Sequence, residues 1–396
     1  MAFVNDFFAD VYCSQRSHHG QRICGDVFIT KKVKEENRLI AVLSDGMGHG
    51  VKANILATLT ATMAMNFTRE HRDMVAIAET IMNALPECSD RKMSYSTFTI
   101  VDIELNGQVH ILEYDNPTCQ IIRGNKIIEP EWNCLILRSQ KHQGKELHTC
   151  SFWPQKEDRI VFCSDGIAQS GMGRPEYPFG WGVDGLKELV VRFIDEKPTI
   201  SSHSLSMKIL NRAMQNDHHV PKDDTSCGVI YLREPRRLLL CSGPPFKKKD
   251  DNLLAQKYAQ FQGPKILSGA TTADIIAREL KKEIVDSFVF HDPDLPPMSS
   301  MDGADLVTEG ILTLEKVNKM LKTYNSKTIL GKGPADSIIR YMLKSDEIYF
   351  LVGTGINIAH QDPNLPIDLE IRRTVINRIA RTLESDFLKE IKIEYI

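Results

Sequence analysis

Apolar positions along this chain follow two successive rhythms. In the first, Leu39-Ile-Ala-Val-Leu-Ser44 is a short continuous run, the pattern of a strand buried on both faces. Val51 to Phe67 holds neither Gly nor Pro and is rich in Ala, Leu and Met, which predicts a helix, and a second helix is expected from Asp73 to Leu85. Ser96 to Leu105, Gln108 to Tyr114 and Gln120 to Arg123 read as strands, with Asn106-Gly107 and Gly124-Asn125 as hairpin-type turns. Arg159 to Ser164 and Cys227 to Leu232 are further buried strands, and Val183 to Ile194 and Leu205 to Asp217 are helical. Strands separated by pairs of helices in this order predict layered α+β architecture.

The rhythm changes after Leu232-Arg-Glu-Pro-Arg-Arg237, a charged, Pro-containing break between apolar runs. Leu238 to Cys241, Lys265 to Ser268 and Tyr349 to Val352 are short apolar runs, each followed by a glycine loop. Helical patterns occupy Asn252 to Phe261, Thr272 to Ile284 and Leu314 to Tyr324. Strand, glycine loop and helix in repetition predict a smaller α/β domain with a mainly parallel sheet. The expected division is therefore 1–234 and 235–396.

Composition narrows the function classes. With 42% hydrophobic and 26% charged residues the chain is of ordinary globular type. Its 49 Lys+Arg against 52 Asp+Glu give a net charge of -3, so no global basic field favours nucleic acid or anionic lipid. No run of about 18 uncharged apolar residues marks a membrane span. Asp6 and Asp10 interrupt the apolar N-terminal stretch, which reads as neither signal peptide nor presequence. Nine cysteines without a CxxC pair read as reduced thiols, and a cytoplasmic location is expected.

Four segments place aspartate at the end or start of an apolar run: Cys24-Gly25-Asp26, Ser44-Asp45-Gly46-Met47-Gly48-His49-Gly50, Cys163-Ser164-Asp165-Gly166 and Lys222-Asp223-Asp224-Thr225-Ser226. A lone Asp-Gly is ordinarily a turn or a helix cap. The set is more informative, because two of the turns share the tripeptide Ser-Asp-Gly after a buried strand. Should those strands lie side by side, several carboxylates converge, and their repulsion and desolvation call for cations among them. Oxygen-only donors suit Mg²⁺ or Mn²⁺. Gly46 lets the main chain turn close to such an ion.

In this order, the Asp26, Asp45-Gly46, Asp165-Gly166 and Asp223-Asp224-x-Ser226 segments resemble the metal-dependent protein phosphatase (PPM) family. Ser-Asp-Gly-Met-Gly-His-Gly is most similar to the stage II sporulation protein E branch of bacterial Ser/Thr phosphatases, and the resemblance spans roughly residues 8 to 233. It implies a sandwich of two antiparallel β-sheets flanked by helices, with two divalent cations, Mn²⁺ or Mg²⁺, at one end. Carried over, it implies that Asp45 bridges the ions, that the Gly46 carbonyl and Asp26 complete one shell, and that Asp165 and Asp223 hold the other ion. Asp224 and Gly166 are placed just outside the ligands. The implied reaction is hydrolysis of phosphoserine or phosphothreonine on a bacterial regulatory protein by a metal-activated water. Many family members carry His directly after the Asp-Gly; here that position is Met47, and His49 is the candidate proton donor. Arg16 and Arg22 are candidates for the substrate phosphate, with a solvated arginine as the plainer reading of each. Adjacent His18-His19 and His218-His219 are not expected to ligate metal, and Cys163 is expected to be an inert core thiol.

In 235–396, Gly269, Thr271 and Thr272 open a helix whose N-terminus suits an anion, and Gly353 and Gly355 follow a strand. These residues are the candidate site for a small anionic ligand that sets phosphatase output, with docking of a partner as the other reading of the domain. A homodimer is a further expected partner. Two other readings stand beside the leading one: a catalytically weak scaffold or sensor, and a phosphatase of small phosphorylated metabolites.

Overall fold

The computed structural model describes residues 7–70, 74–84, 96–137, 144–325, 328–355, 367–387 and 389–396. The chain forms two compact units, 1–234 and 235–396.

In the first unit the chain runs β1 (Phe8–Arg16), β2 (Val27–Val33), β3 (Arg38–Gly46), α1 (Gly50–Arg69), α2 (Met74–Ala84), β4 (Ser96–Glu104), β5 (Val109–Tyr114), β6 (Gln120–Arg123), β7 (Lys126–Ile128), β8 (Trp132–Ile136) and β9 (Glu146–Phe152). It continues through β10 (Asp158–Cys163), the single turn α3 (Asp165–Ala168), α4 (Gly182–Glu196), α5 (Ser202–Asn216) and β11 (Thr225–Arg233). One sheet has the order β2-β3-β4-β5-β9-β8 and the other β1-β11-β10-β6-β7. Every strand pair in both is antiparallel. The result is the expected antiparallel sandwich flanked by helices.

The continuous apolar run in β3 has a simple cause. Leu39, Ala41 and Leu43 point into the core between the sheets, against Ile160, Phe162 and Ile230. Ile40 and Val42 point the other way, onto Ala61, Ala64 and Met65 of α1 and Ile77 and Ile81 of α2. A strand covered on both faces has no polar side to alternate with. The outer face of the second sheet is covered by α4 and α5 through Leu186, Val190, Leu205 and Ile209.

The second unit runs β12 (Arg237–Ser242), α6 (Asp251–Gln260), β13 (Lys265–Ser268), α7 (Ala270–Leu280), β14 (Ile284–Asp286), β15 (Ser299–Met301), β16 (Leu306–Thr308), α8 (Ile311–Thr323), α9 (Pro334–Lys344), β17 (Glu347–Val352), α10 (Ile367–Asp386) and β18 (Glu390–Tyr395). Its sheet has the order β14-β15-β16-β13-β12-β17-β18. β16, β13, β12, β17 and β18 are mutually parallel, whereas β15 pairs antiparallel with both β14 and β16. Helices cover both faces, α8, α9 and α10 on one and α6 and α7 on the other. The helix expected to reach Ile284 stops at Leu280, because Lys281 turns into the left-handed region at φ 53°. Ile284 begins a strand instead. Among the described residues, no helix is long and apolar enough to cross a membrane.

Candidate metal centre

Two strand ends and two strand starts bring the aspartates together. Asp26 lies just before β2, Asp45 is in the last turnward part of β3, Asp165 follows β10, and Asp223-Asp224 precede β11. β10 and β11 are neighbours in one sheet and β2 and β3 in the other. Their acidic ends therefore meet at one end of the sandwich.

Asp26 is buried. Its Oδ2 accepts hydrogen bonds from Ser164 Oγ at 2.7 Å and Ser226 Oγ at 2.6 Å. Its Oδ1 is buried with no hydrogen-bond partner, as are Asp165 Oδ1 and Asp224 Oδ2. Asp165 Oδ2 accepts from Gln169 Nε2 at 2.8 Å. Asp224 Oδ1 accepts the His18 N–H at 3.0 Å, and Asp223 Oδ1 accepts the Asp224 N–H at 2.8 Å. Asp45 makes carboxyl–carboxyl contacts with both Asp26 and Asp165.

The electrostatics follow from that crowding. Burial pushes Asp26 up to about 7; the two serine hydroxyls pull it down, and repulsion from Asp224 and Asp223 adds to the rise. Asp45 is raised well above the ordinary carboxylate range by burial, then by Asp26, Asp165 and Asp223. Burial and Asp165 lift Asp223 to about 6. Among the described residues, no Lys or Arg forms an ion pair with these five aspartates. No three of them place oxygens all within 4.8 Å of one another. The cluster is an extended chain of carboxylates rather than one tight knot.

The glycines explain how close the backbones come. A Cβ on Gly46 would sit 2.1 Å from the Ala53 carbonyl oxygen, and one on Gly166 would sit 2.3 Å from the Asp224 carbonyl oxygen. The first turns of α1 thus press on the Asp45-Gly46 turn. They also hold the Asp26 turn, since Asn54 Nδ2 donates to the Cys24 carbonyl at 2.9 Å and a Cβ on Gly25 would meet Ala53 Cβ at 2.9 Å.

His49 is exposed at the N-terminus of α1, makes no side-chain cap bond, and stacks on the ring of His18 at 4.4 Å between centroids. Arg16 and Arg22 are exposed and line a cleft of about 440 Å³ with His18, Gln21 and His219. Cys163 is buried, and desolvation pushes its thiol well above the ordinary range. Sequence reasoning quoted Ser164 and Ser226 within the acidic motifs but gave them no work; they are the donors that fix Asp26. Gln15, which donates to Ser226 Oγ at 3.0 Å, and Asn54 carried no local signal at all.

In the second unit the glycine loops pack on each other. Gly353 N–H donates to the Ser242 carbonyl at 2.9 Å and Gly355 N–H to the Pro244 carbonyl at 2.9 Å. A Cβ on Gly353 would lie 2.1 Å from the Pro244 carbonyl oxygen. Thr272 is buried, and its hydroxyl accepts the Gly243 N–H at 2.7 Å. Gly269, at φ 123°, precedes α7 and donates its N–H to the Thr308 carbonyl at 2.8 Å. Thr271 is half-buried beside it. Ile356 and Asn357, the end of the third expected loop, lie outside the described residues.

The chain is similar to several solved structures. The phosphatase domain of the cell fate determinant SpoIIE from Bacillus subtilis shares 14% identity over 58% of this chain and 94% of that one, with a TM-score of 0.44. RsbX, solved with magnesium, shares 18% over 57% of this chain and 95% of that one, at a TM-score of 0.40. The catalytic domain of the serine/threonine phosphatase PstP, solved with two manganese ions, shares 12% over 57% of this chain and all of that one, at 0.37. No curated protein matches the sequence. The family model described as stage II sporulation protein E (SpoIIE) matches residues 35–233, half of the chain. By that match the protein belongs to the SpoIIE family, carrying a PPM-type phosphatase fold followed by an additional C-terminal region.

Proposed function

We propose that residues 1–234 are a metal-dependent Ser/Thr protein phosphatase and that the acidic cluster is its bimetal centre. One observation carries the reading. Five aspartates converge, three of their oxygens are buried without a hydrogen-bond partner, and among the described residues no Lys or Arg forms an ion pair with them. Such oxygens are expensive to bury unless a cation accepts them, and an all-oxygen donor set suits Mg²⁺ or Mn²⁺. Asp45, placed between Asp26 and Asp165, would be shared by two ions; the Gly46 carbonyl and Asp26 would face one, Asp165 and Asp223 the other. When bound, the ions supply an activated water and neutralise charge on the phosphoryl oxygens.

The chain's own residues do the rest. Ser164 and Ser226 occupy Asp26 Oδ2, which orients the carboxylate and leaves Oδ1 free. Gln169 does the same for Asp165. Asp224, buried behind Gly25 and Gly166, anchors the His18 loop through its backbone N–H. Stacking on His18 holds the His49 ring in place, and His49 is assigned the proton for the leaving serine or threonine oxygen. Arg16 and Arg22, on the adjoining cleft, would meet the phosphate or the acidic side of a phosphopeptide.

Manganese-dependent hydrolysis of p-nitrophenyl phosphate tests the assignment. Asp45→Ala is expected to lose more than about a hundredfold, beyond the 10–100-fold typical of residues that only support a ligand. His49→Ala is expected to slow phosphopeptide turnover but spare p-nitrophenyl phosphate, whose leaving group needs no proton. A wild-type protein inert with both substrates in Mn²⁺ would instead make it a binding scaffold. Turnover of sugar phosphates in preference to phosphopeptides would make it a metabolite phosphatase.

For 235–396 the proposal is a small-anion sensor that sets this output. Its support is the gathering of the Gly243, Gly269 and Gly353 loops at the carboxyl ends of parallel β12, β13 and β17, where open α/β sheets bind ligands. Thr313 Oγ1 and Asn318 Oδ1 on α8 are buried without partners. Calorimetric titration of the full chain with phosphate, nucleotides and sugar phosphates tests it, and silence across that panel would leave partner docking.

A further inference from the structure

A second set of metal-ligating side chains lies on the edge of the first sandwich sheet, on residues that the acidic cluster does not include. β8 is the edge strand and pairs antiparallel with β9. The register sets Cys134 directly opposite His148 and Ile136 opposite Glu146. Glu146 and His148 are two apart on one strand, so their side chains leave the same face. Directly opposed antiparallel residues share a face as well. Cys134, Glu146 and His148 therefore project together, and their ligand atoms all lie within 4.8 Å of one another. Among the described residues this is the one group of three His, Cys, Asp or Glu side chains that meets so closely.

The chemistry of the donors is as specific as their spacing. Sulfur, imidazole nitrogen and carboxylate oxygen form a mixed set, whereas the aspartate cluster offers oxygen alone. Mixed S/N/O sets select borderline ions, Zn²⁺ above all, and disfavour Mg²⁺. Zinc bonds of about 2.0–2.3 Å put tetrahedral ligand atoms roughly 3.3–3.8 Å apart, so small side-chain rotations close the present spacing. All three residues are exposed, so the ion has open access and the fourth position faces water. Glu146 and His148 also line a cleft of about 430 Å³ with Glu113, Asp115 and Lys145. His148 stands directly opposite Glu113 in the sheet.

We infer that Cys134, Glu146 and His148 form a Zn²⁺-class site that fastens the edge strand β8 to β9. Cys134 is a free, exposed thiol whose proton must be exchanged for the ion. On binding, that proton leaves to solvent, the thiolate bonds the ion, and Glu146 and neutral His148 add lone pairs. The inference is independent of the phosphatase reading, because it uses none of the aspartates.

Cobalt titration of the full chain, with excess Mg²⁺ present, tests it. A near-ultraviolet thiolate-to-cobalt charge-transfer band is expected, saturating at one equivalent and abolished by Zn²⁺. An oxygen-only site has no sulfur to produce that band. Cys134→Ser should lose it, His148→Ala should weaken cobalt binding about tenfold or more, and Asp45→Asn should retain it in full. Both positions are exposed, so circular dichroism of the variants serves as the folding control. Absence of the band in the wild type overturns the inference. So does a band that survives Cys134→Ser, which would assign the sulfur to another thiol such as Cys24 beside Asp26.

Discussion

Asp26→Asn isolates the charge cost of the acidic cluster. The amide oxygen can accept both serine hydrogen bonds that Oδ2 now accepts. The amide nitrogen then stands where the partnerless Oδ1 stands, within reach of the Asp45 carboxylate. Shape is kept and one buried negative charge is removed. Burial lifts Asp26 from 3.8 to about 7. A carboxyl whose folded pKa is raised destabilises the fold at pH above that value. The penalty shrinks as pH falls through about 7 and is gone below the unfolded value near 4. Its full size is about 4 kcal/mol, and because neighbouring carboxylates share the relief, a gain of about 2–4 kcal/mol is expected near pH 8. The metal-free protein in EDTA should therefore be more stable as Asp26→Asn. Urea unfolding followed by tryptophan fluorescence reads this unit selectively, since Trp132, Trp153 and Trp181 all precede residue 235. A midpoint increase of about 1 M or more is expected near pH 8, with the gap falling to about 1 kcal/mol near pH 4.5. Saturating Mn²⁺ should reverse the order, because the wild type then gains the larger binding term. A variant less stable than wild type in EDTA near pH 8, or a gap that ignores pH, refutes the reasoning.

Gly46→Ala puts a methyl 2.1 Å from the Ala53 carbonyl oxygen, and thermal unfolding should show a loss of about 1–3 kcal/mol together with weakened Mn²⁺ binding. Asp102→Ala leaves the Arg38 guanidinium buried without the two 2.7 Å bonds it now makes, and urea unfolding should show a loss of about 3–5 kcal/mol. Gly353→Ala, 2.1 Å from the Pro244 carbonyl oxygen, should raise hydrogen exchange across 235–396 through a loss of about 1–3 kcal/mol. Asn54→Ala removes the 2.9 Å bond that ties α1 to the Cys24 carbonyl. If that bond is worth about 1 kcal/mol, the Mn²⁺ concentration for half-maximal activity should rise about fivefold while the saturated rate holds.

The sandwich was legible wherever an element is buried on both faces. β3, β10 and β11 are continuous apolar runs because a sheet and a helix layer cover them from opposite sides. Edge strands were not. β2 and β8 have no buried position, their apolar stretches are only three residues long (Val27-Phe28-Ile29 and Cys134-Leu135-Ile136), and β8 ends in an exposed Ile136. α9 was missed although Pro334 stands at its first turn and Ile338, Ile339 and Met342 form a buried stripe; the preceding Gly331-Lys-Gly333 reads as loop. The aspartates were legible as an ordered set of short motifs beside apolar runs, two of them sharing Ser-Asp-Gly, although each motif alone reads as an ordinary turn or cap. The Cys134–His148 pairing was not, because thirteen residues separate Cys134 from His148 and only the hairpin register makes them neighbours.

The two acidic turns nearest α1 are tied to the same helix, and this shapes how the centre can be controlled. Ala53 fills the space beside both Gly25 and Gly46, and Asn54 holds the Cys24 carbonyl. A Cβ at Gly46 would lie only 2.1 Å from the Ala53 carbonyl oxygen, so the Gly46 backbone packs directly against α1 and a shift of the helix toward it is transmitted to the Asp45 turn. Asp165 and Asp223 belong to the other sheet, and Asp224 is packed against Gly166 there. Asp45 is thus set by α1 and Asp165 and Asp223 by the β10–β11 pair, while Asp26 links the two, its turn held by α1 and its Oδ2 by Ser164 and Ser226. Under the proposed bimetal reading, metal affinity would depend on their registry, and a partner that prefers one position of α1 would change that affinity by its differential binding energy and no more. The outer face of the helix, with Val51, Ile55 and Leu59 exposed at successive turns, is where such a preference would be felt.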